Sequence, residues 1–389
     1  MKGKARQSWL LAVGLLLTGL AVAWLIVHLR GHWDDLWRGF RRADYAYVVP
    51  AVALLAVMYV LRVLRWRVFL SPIKPVPYST IASATCIGFM SSCLLPLRPG
   101  EVIRPYVLSR KAGISFGHAA GTAMGLERIF DLFGICFLLL LAWILLLASA
   151  GPAAGSSPLG PSPAATVADA EAPAADGAGT GNVLEQVRAS SAWFLLVTAV
   201  GMCALIALAF FPSQVLRISG FFLRVLPVGW RQTLLAFLGS MAHAVGFLKK
   251  PTHVLAALAI SFAQWFCFPV STYCLARGFG LDLSLTGALV VQVFLTAAVA
   301  APQAPGFIGV FQWAAITGVR FCTPGAWDTQ TSMTTTAFAM MLWAINVIPI
   351  TLVGLAVLRM EGLGLHRLAR MSREAAARQD EDEGEPPES

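Results

Sequence analysis

An all-α fold, a polytopic transmembrane helix bundle, is what the sequence predicts, and three observations predict it. Of 389 residues, 57% are hydrophobic and 13% charged, which leaves too little polar surface to cover a soluble protein of this size. Three stretches, Arg6 to Arg30, Lys250 to Arg277 and Asp328 to Arg359, contain no Asp, Glu, Lys or Arg between their ends; each exceeds the roughly 20 residues that a helix needs to cross a bilayer. Two further apolar stretches, 79–95 and 284–320, do not behave as simple spans. The expectation is about six full spans plus two broken or re-entrant helical regions in an inverted repeat.

The first apolar run, 9–29, follows Lys2, Lys4 and Arg6. Ala21-Val22-Ala23 resembles a signal-peptide cleavage site, but the run continues to Val27, long for such a peptide, so residues 1–23 are read as a retained anchor. Full spans follow near 45–70, 129–149, 191–212, 252–277 and 337–358. In the stretch 284–320, the 37 residues between Asp282 and Arg320 are free of Asp, Glu, Lys and Arg, yet Pro302, Pro305, Gly306 and Gly309 break it as a continuous helix.

Lysines and arginines of short loops set the orientation. With the N-terminus inside, the inner segments carry Arg65, Arg67, Lys74, Arg98, Arg104, Arg110 and Lys111, then Arg217, Arg224, Arg231, Lys249 and Lys250, then Arg359, Arg367, Arg370 and Arg373, whereas 150–190 carries only Arg188. Residues 30–44, with Arg30, Arg38, Arg41 and Arg42 outside, are an exception. The expected organisation is one transmembrane domain over 1–358 in the inner (plasma) membrane, with both termini cytoplasmic. It is interrupted by a disordered outside loop at 150–190, rich in Ala, Gly, Pro and Ser. Residues 213–250 read as amphipathic helices on the inner interface, and 359–389 as a basic, then acidic, cytoplasmic tail.

The net charge of +9 does not indicate nucleic acid, because the basic residues flank apolar runs and form no extended patch with interleaved aromatics. The seven cysteines form no CxxC pair or Cys/His cluster, so no metal or other cofactor is expected. There is no GxSxG, HExxH or Walker loop, and the six histidines are scattered, so the chain is not expected to be an enzyme. Any transport would run downhill or on an ion gradient.

One internal match bears on function: Pro96-Leu97-Arg98-Pro99-Gly100 is echoed by Pro302-Gln303-Ala304-Pro305-Gly306, each after an apolar run and before Ile. The predicted orientation brings the two copies into the membrane from opposite faces, the pattern of an inverted repeat whose broken helices form a site near the midplane.

An unpaired charge at that depth costs about 2.5–3.5 kcal/mol, so Arg98, Glu101 and Arg104 are expected to be paired or in water. A helix starting after Pro99 places Glu101 and Arg104 at i and i+3, and a fixed guanidinium there suits a phosphate. The other reading of these residues is an interfacial cluster that only sets topology. Glu127, Arg128 and Asp131 form a second cluster within one turn, which suits either structural salt bridges or ligand contact. Pro302, Pro305, Gly306 and Gly309 bring no charge and are given a conformational role. Asn346, within the last span, reads as interhelical glue.

These residues carry a resemblance. PLRPGEVIRPYVLSRKAGIS, then GLERIFDL, then PQAPGFIGVFQ is similar to the flippase-like family that includes the membrane part of bacterial lysylphosphatidylglycerol synthases and relatives linked to polyprenyl-phosphate glycans. The likeness covers roughly Trp9 to Leu358. It implies a protein that moves an anionic phospholipid or polyprenyl-phosphate-linked lipid between leaflets, with membrane lipids as partners and an envelope-lipid biosynthetic enzyme as a possible associate. Arg98, Gly100, Glu101 and Arg104 match its first motif, Glu127, Arg128 and Asp131 its second, and Pro302, Pro305, Gly306 and Gly309 its third. Gln312 stands where the family commonly has an acidic residue, and lysyltransferase activity is not expected. A small-anion secondary transporter and a non-transporting scaffold are the alternatives.

Overall fold

The computed structural model describes residues 19–95, 98–149, 251–300, 305–323 and 327–362, with the isolated Leu16 and Gln214. The expectations for 1–15, for the 150–190 loop, for a span at 191–212, for amphipathic helices within 213–250 and for nearly all of the tail fall outside the described residues, as do Pro96 and Pro302.

Eleven helices, numbered here in chain order, are described: α1 Gly19–Leu29, α2 Trp33–Arg42, α3 Val48–Leu70, α4 Tyr78–Leu94, α5 Gly100–Ala112, α6 Phe116–Ala120, α7 Glu127–Ser149, α8 Pro251–Gly278, α9 Leu285–Ala300, α10 Val310–Cys322 and α11 Thr329–Met360. No strand occurs among the described residues. Among the described residues, three helical segments are long and apolar enough to cross a membrane: Tyr45–Leu70, which is α3 with the turn before it, α8 and α11.

Helix α11 starts well before the expected 337. Asp328 caps it by accepting from the Thr331 N–H, and the hydroxyls of Thr335 and Thr336 bond to the carbonyls of Thr331 and Ser332 four residues back. The Ser/Thr run thus meets its own polar needs inside the helix. Residues 30–44 likewise contain a helix, α2, whose Leu36 and Gly39 are buried; Gly39 lies close to Thr334 and Ala337 of α11.

The ends of α11 mark the two ends of the bundle, and each of the interrupted stretches forms a helical hairpin that opens at one of them. Hairpin α4–α5 opens beside the α11 C-terminus, where Lys111 pairs with Glu361 and the Ser83 hydroxyl donates to Glu361 at 3.0 Å. Its helices touch backbone to backbone, because a Cβ on Gly100 would overlap the Gly88 carbonyl oxygen and one on Gly88 would lie 2.6 Å from Arg104 Cβ. Small residues permit this approach. Hairpin α9–α10 opens at the other end: Cys322 Sγ lies 3.7 Å from the Gly287 carbonyl, and the Trp327 indole donates to Thr323 just before α11 begins.

The closed tips of the two hairpins meet beside the middle of α11. There the Arg98 guanidinium carbon lies 5.0 Å from the Phe307 ring centre, and the Trp343 indole donates to the Gly306 carbonyl at 2.5 Å. Arg98 (φ 55°) and Phe307 (φ 57°) are the two non-glycine residues with left-handed backbone among those described. For a bulky side chain this is an outlying conformation. Gly309 (φ 86°) is required twice over, since a Cβ would also strike the Ala21 and Val22 backbone of α1.

Replacing Gly100 by alanine is expected to force α4 and α5 apart and lower stability by about 1–3 kcal/mol, read as a lower thermal midpoint in detergent. Glu361 offers a pH test. The hydrogen bond from Lys111 holds its carboxyl below the ordinary glutamate range. The contact therefore stabilises fully above the unfolded pKa of about 4.3 and is lost as pH falls through the lower folded value. Glu361→Gln should cost about 0.5 kcal/mol at pH 7, and the gap between the two melting curves should close on acidification.

Candidate functional site

Helix α3 carries Arg62 and Arg65 on one face, and α7 carries Glu127 and Asp131 one turn apart on the face opposite. Arg65 is wholly buried. Its Nη2 donates to Asp131 Oδ1 at 2.7 Å and to Glu127 Oε1 at 3.1 Å, while Nη1 donates to Ser261 Oγ of α8 at 2.9 Å. The Trp265 indole N–H adds a 3.2 Å bond to Asp131 Oδ1. Arg62 stands 3.4 Å from Glu127 and 3.7 Å from Asp131. From α5, Arg104 Nη1 donates to Glu127 Oε2 at 2.5 Å. One ionic network thus joins α3, α5, α7 and α8.

This network forms one wall of a cavity of about 440 Å³ in the middle of the bundle. Four arginines (Arg62, Arg98, Arg104, Arg128) and three carboxylates (Glu101, Glu127, Asp131) line it. With Arg65 behind them, five arginines face three carboxylates and positive charge is in excess. Arg104 carries the clearest sign of unused capacity. It is 6% exposed, its guanidinium carbon lies 4.0 Å from the Trp66 ring centre, and its Nε and Nη2 find no acceptor. Buried donors without acceptors are costly, and an anion in the cavity would answer them.

The expected pairing of Glu101 with Arg104 along one helix is not what forms. Glu101 pairs with Arg128 across to α7, and Arg104 turns to Glu127. The reason is the close α4–α5 contact: Arg104 packs over Gly88, on the buried side of α5, while Glu101 is only half-buried. Arg65, taken from the sequence as a topology marker, belongs to the network instead. Arg62 was not singled out either. The signal for both was available: arginines three apart within an apolar run, matching carboxylates four apart in another.

The structure brings Arg98, Gly100, Glu101, Arg104, Glu127, Arg128 and Asp131 to the cavity. Of the second motif copy, Phe307 and Phe311 line it. Pro305 and Gly306 form the tight turn that delivers Phe307, and Gly309 begins α10. Gln312 serves that start, since its Oε1 accepts from the Gly309 N–H at 2.7 Å. Asn346 binds its own helix, donating to the Leu342 carbonyl at 2.8 Å, and lines the cavity. No group of three or more His, Cys, Asp or Glu with the arrangement of a metal site occurs among the described residues.

Arg65→Met is expected to leave two carboxylates short of their partner and to lower stability by about 3–5 kcal/mol, seen as loss of the monodisperse folded species in detergent. The double variant Arg65→Met/Asp131→Leu should recover part of that loss, which a thermal melt measures.

A search among known proteins finds one family, described as "Lysylphosphatidylglycerol synthase TM region", matching residues 11–354. No curated protein and no solved structure matches.

Proposed function

The chain belongs to the family of lysylphosphatidylglycerol synthase transmembrane regions, and from that premise we propose that it is a polytopic inner-membrane translocase. It moves an anionic phospholipid or a polyprenyl-phosphate-linked lipid between leaflets. The observation that carries the reading is Arg104, buried at the cavity with Nε and Nη2 unanswered and positive charge in excess around it. A phosphate diester brings the acceptor oxygens and the negative charge that such a site lacks. Arg104 and Arg98 engage the phosphate. Glu101 acts through Arg128, its partner, and restrains that guanidinium when the site is empty.

Alternating access is part of the proposal. Two hairpins that open at opposite ends and meet tip to tip suit an inverted repeat, in which the contact between Arg98 and Phe307 parts on one side at a time. The proposal includes a multi-pass topology with cytoplasmic termini. No catalytic step is assigned. The partners are membrane lipids, with an envelope-lipid biosynthetic enzyme making or consuming the cargo. A second reading, a transporter of a small soluble anion, draws on the cavity's size, because about 440 Å³ holds a head group but not two acyl chains.

In proteoliposomes, labelled anionic phospholipid is expected to change leaflet at a rate that Arg104→Ala reduces at least a hundredfold and Arg98→Ala about tenfold at equal protein. Equal rates in wild type and Arg104→Ala would overturn the phosphate role. Uptake of a soluble organic phosphate without lipid movement would select the second reading.

A further inference from the structure

The ion pairs Arg104–Glu127 and Arg128–Glu101 both join α5 to α7 at the cavity, and they differ in exposure. In the first the side chains are 8% and 5% exposed; in the second they are 57% and 38% exposed, although Arg128 and Glu101 also line the cavity. The exposed pair does not lie at an end of the bundle. Helix α5 rises about 17 Å from Glu101 to its end at Ala112, where the neighbouring Lys111 meets Glu361. The continuous run of α6, π-helical turn and α7 rises about as far from Phe116 to Arg128. Half of a bilayer's hydrocarbon core is about 15 Å. The pair therefore stands near mid-depth, just past Arg98 at the hairpin tip. An arginine facing acyl chains at that depth is costly, and charges there face water or other polar groups. The opening at which Glu101 and Arg128 sit is thus a polar one in the side of the bundle.

We propose that the seam between α5 and α7 is a lateral portal latched by Glu101 and Arg128, through which a lipid head group enters the cavity while its acyl chains stay in the bilayer. This rests on the arginine wall holding a lipid phosphate. The cavity's volume requires such a division, because about 440 Å³ holds a head group but not two acyl chains. Helix α7 supplies an apolar track beside the opening. Leu132 and Ile135, at i+4 and i+7 from Arg128, share its face, line the cavity and are partly exposed. The latch is built to yield. Both of its side chains are more than a third exposed, so their attraction is screened and weak. Arg65 and Arg104 are instead buried against their carboxylates and keep the inner wall in place. A phosphate arriving at the mouth competes with Glu101 for the Arg128 guanidinium. The head group thereby opens the latch, and its departure recloses it.

Thiol reactivity and transport test this together. In the full-length protein in a bilayer, Arg128→Cys is expected to react with sulfonatoethyl methanethiosulfonate, a charged reagent confined to polar surroundings, at least tenfold faster than Val57→Cys, each above the wild-type background. Val57 is the control because it is 49% exposed on α3 and adjoins Met58, which lines the cavity. Equal rates overturn the portal. In proteoliposomes of Glu101→Cys/Arg128→Cys, a short bismaleimide that ties α5 to α7 should slow leaflet exchange of labelled anionic phospholipid at least tenfold relative to the same variant capped with N-ethylmaleimide. Exchange as fast in the tied protein as in the capped one overturns the portal, and the phosphate reading then stands if Arg104→Ala still slows exchange. An Arg104→Ala protein that exchanges as wild type does overturns the phosphate reading, while a fast Arg128→Cys reaction still supports the polar opening. Where capping alone stops exchange, the thiol rates decide.

Discussion

The bond between Arg65 and the paired carboxylates of α7 is the constraint from which the arrangement of the interior follows. A guanidinium with no exposure to solvent at this depth is tolerated only when its donors are met. Glu127, Asp131 and Ser261 meet both of its terminal nitrogens, and they come from two other helices. Because the groups must lie within about 3 Å of one another, α3, α7 and α8 are held in a single register. Trp265 Nε1 on Asp131 reinforces α8 against α7, and Gly134, where any Cβ would strike the Trp265 ring, lets the two helices close.

Once that register is set, Arg104 has one carboxylate oxygen within reach and not two. Glu127 offers Oε1 to Arg65 and Oε2 to Arg104, so each oxygen has a different owner. The unanswered half of the Arg104 guanidinium is thus a consequence of how Glu127 is shared. Its base, Trp66, is itself fixed by a 3.1 Å bond to the Thr122 hydroxyl in the π-helical turn Gly121–Leu126 that precedes α7. Such turns recur at functional sites because the extra residue re-aims the helix that follows. Here it precedes Glu127 directly, and Ala123 and Met124 of the turn line the cavity.

The two hairpin tips divide the chemistry by chain half. Residues 62–131 supply every charged group at the cavity, while 265–347 supply neutral polar groups and aromatic surface. At Phe307 the two tips touch, its ring beneath Arg98 and both backbones in the left-handed region. Backbone in that conformation persists only where the surroundings impose it. Arg98 has a cation–π contact and Phe307 a neighbouring turn anchored by Trp343, so each tip helps to hold the other.

Composition and hydropathy were enough to determine that the chain is helical and membrane-embedded, and Pro and Gly positions located both interruptions, because these depend on residue type and local backbone freedom alone. The motif PLRPGEVIR marked one half of the cavity for the same reason: charges beside an apolar run require an explanation wherever they fold. Which charge meets which was decided only by tertiary packing. Glu101 and Arg104 are neighbours along α5, yet the Gly88–Gly100 contact buries one and leaves the other half-buried, and their partners come from α7, 23 and 27 residues away. Arg65 looked like a marker of the inner membrane edge for as long as α3 was considered alone. Its role follows from carboxylates 62 and 66 residues further along the chain and a hydroxyl 196 residues away, distances over which local sequence carries no information about contact and only the folded bundle does.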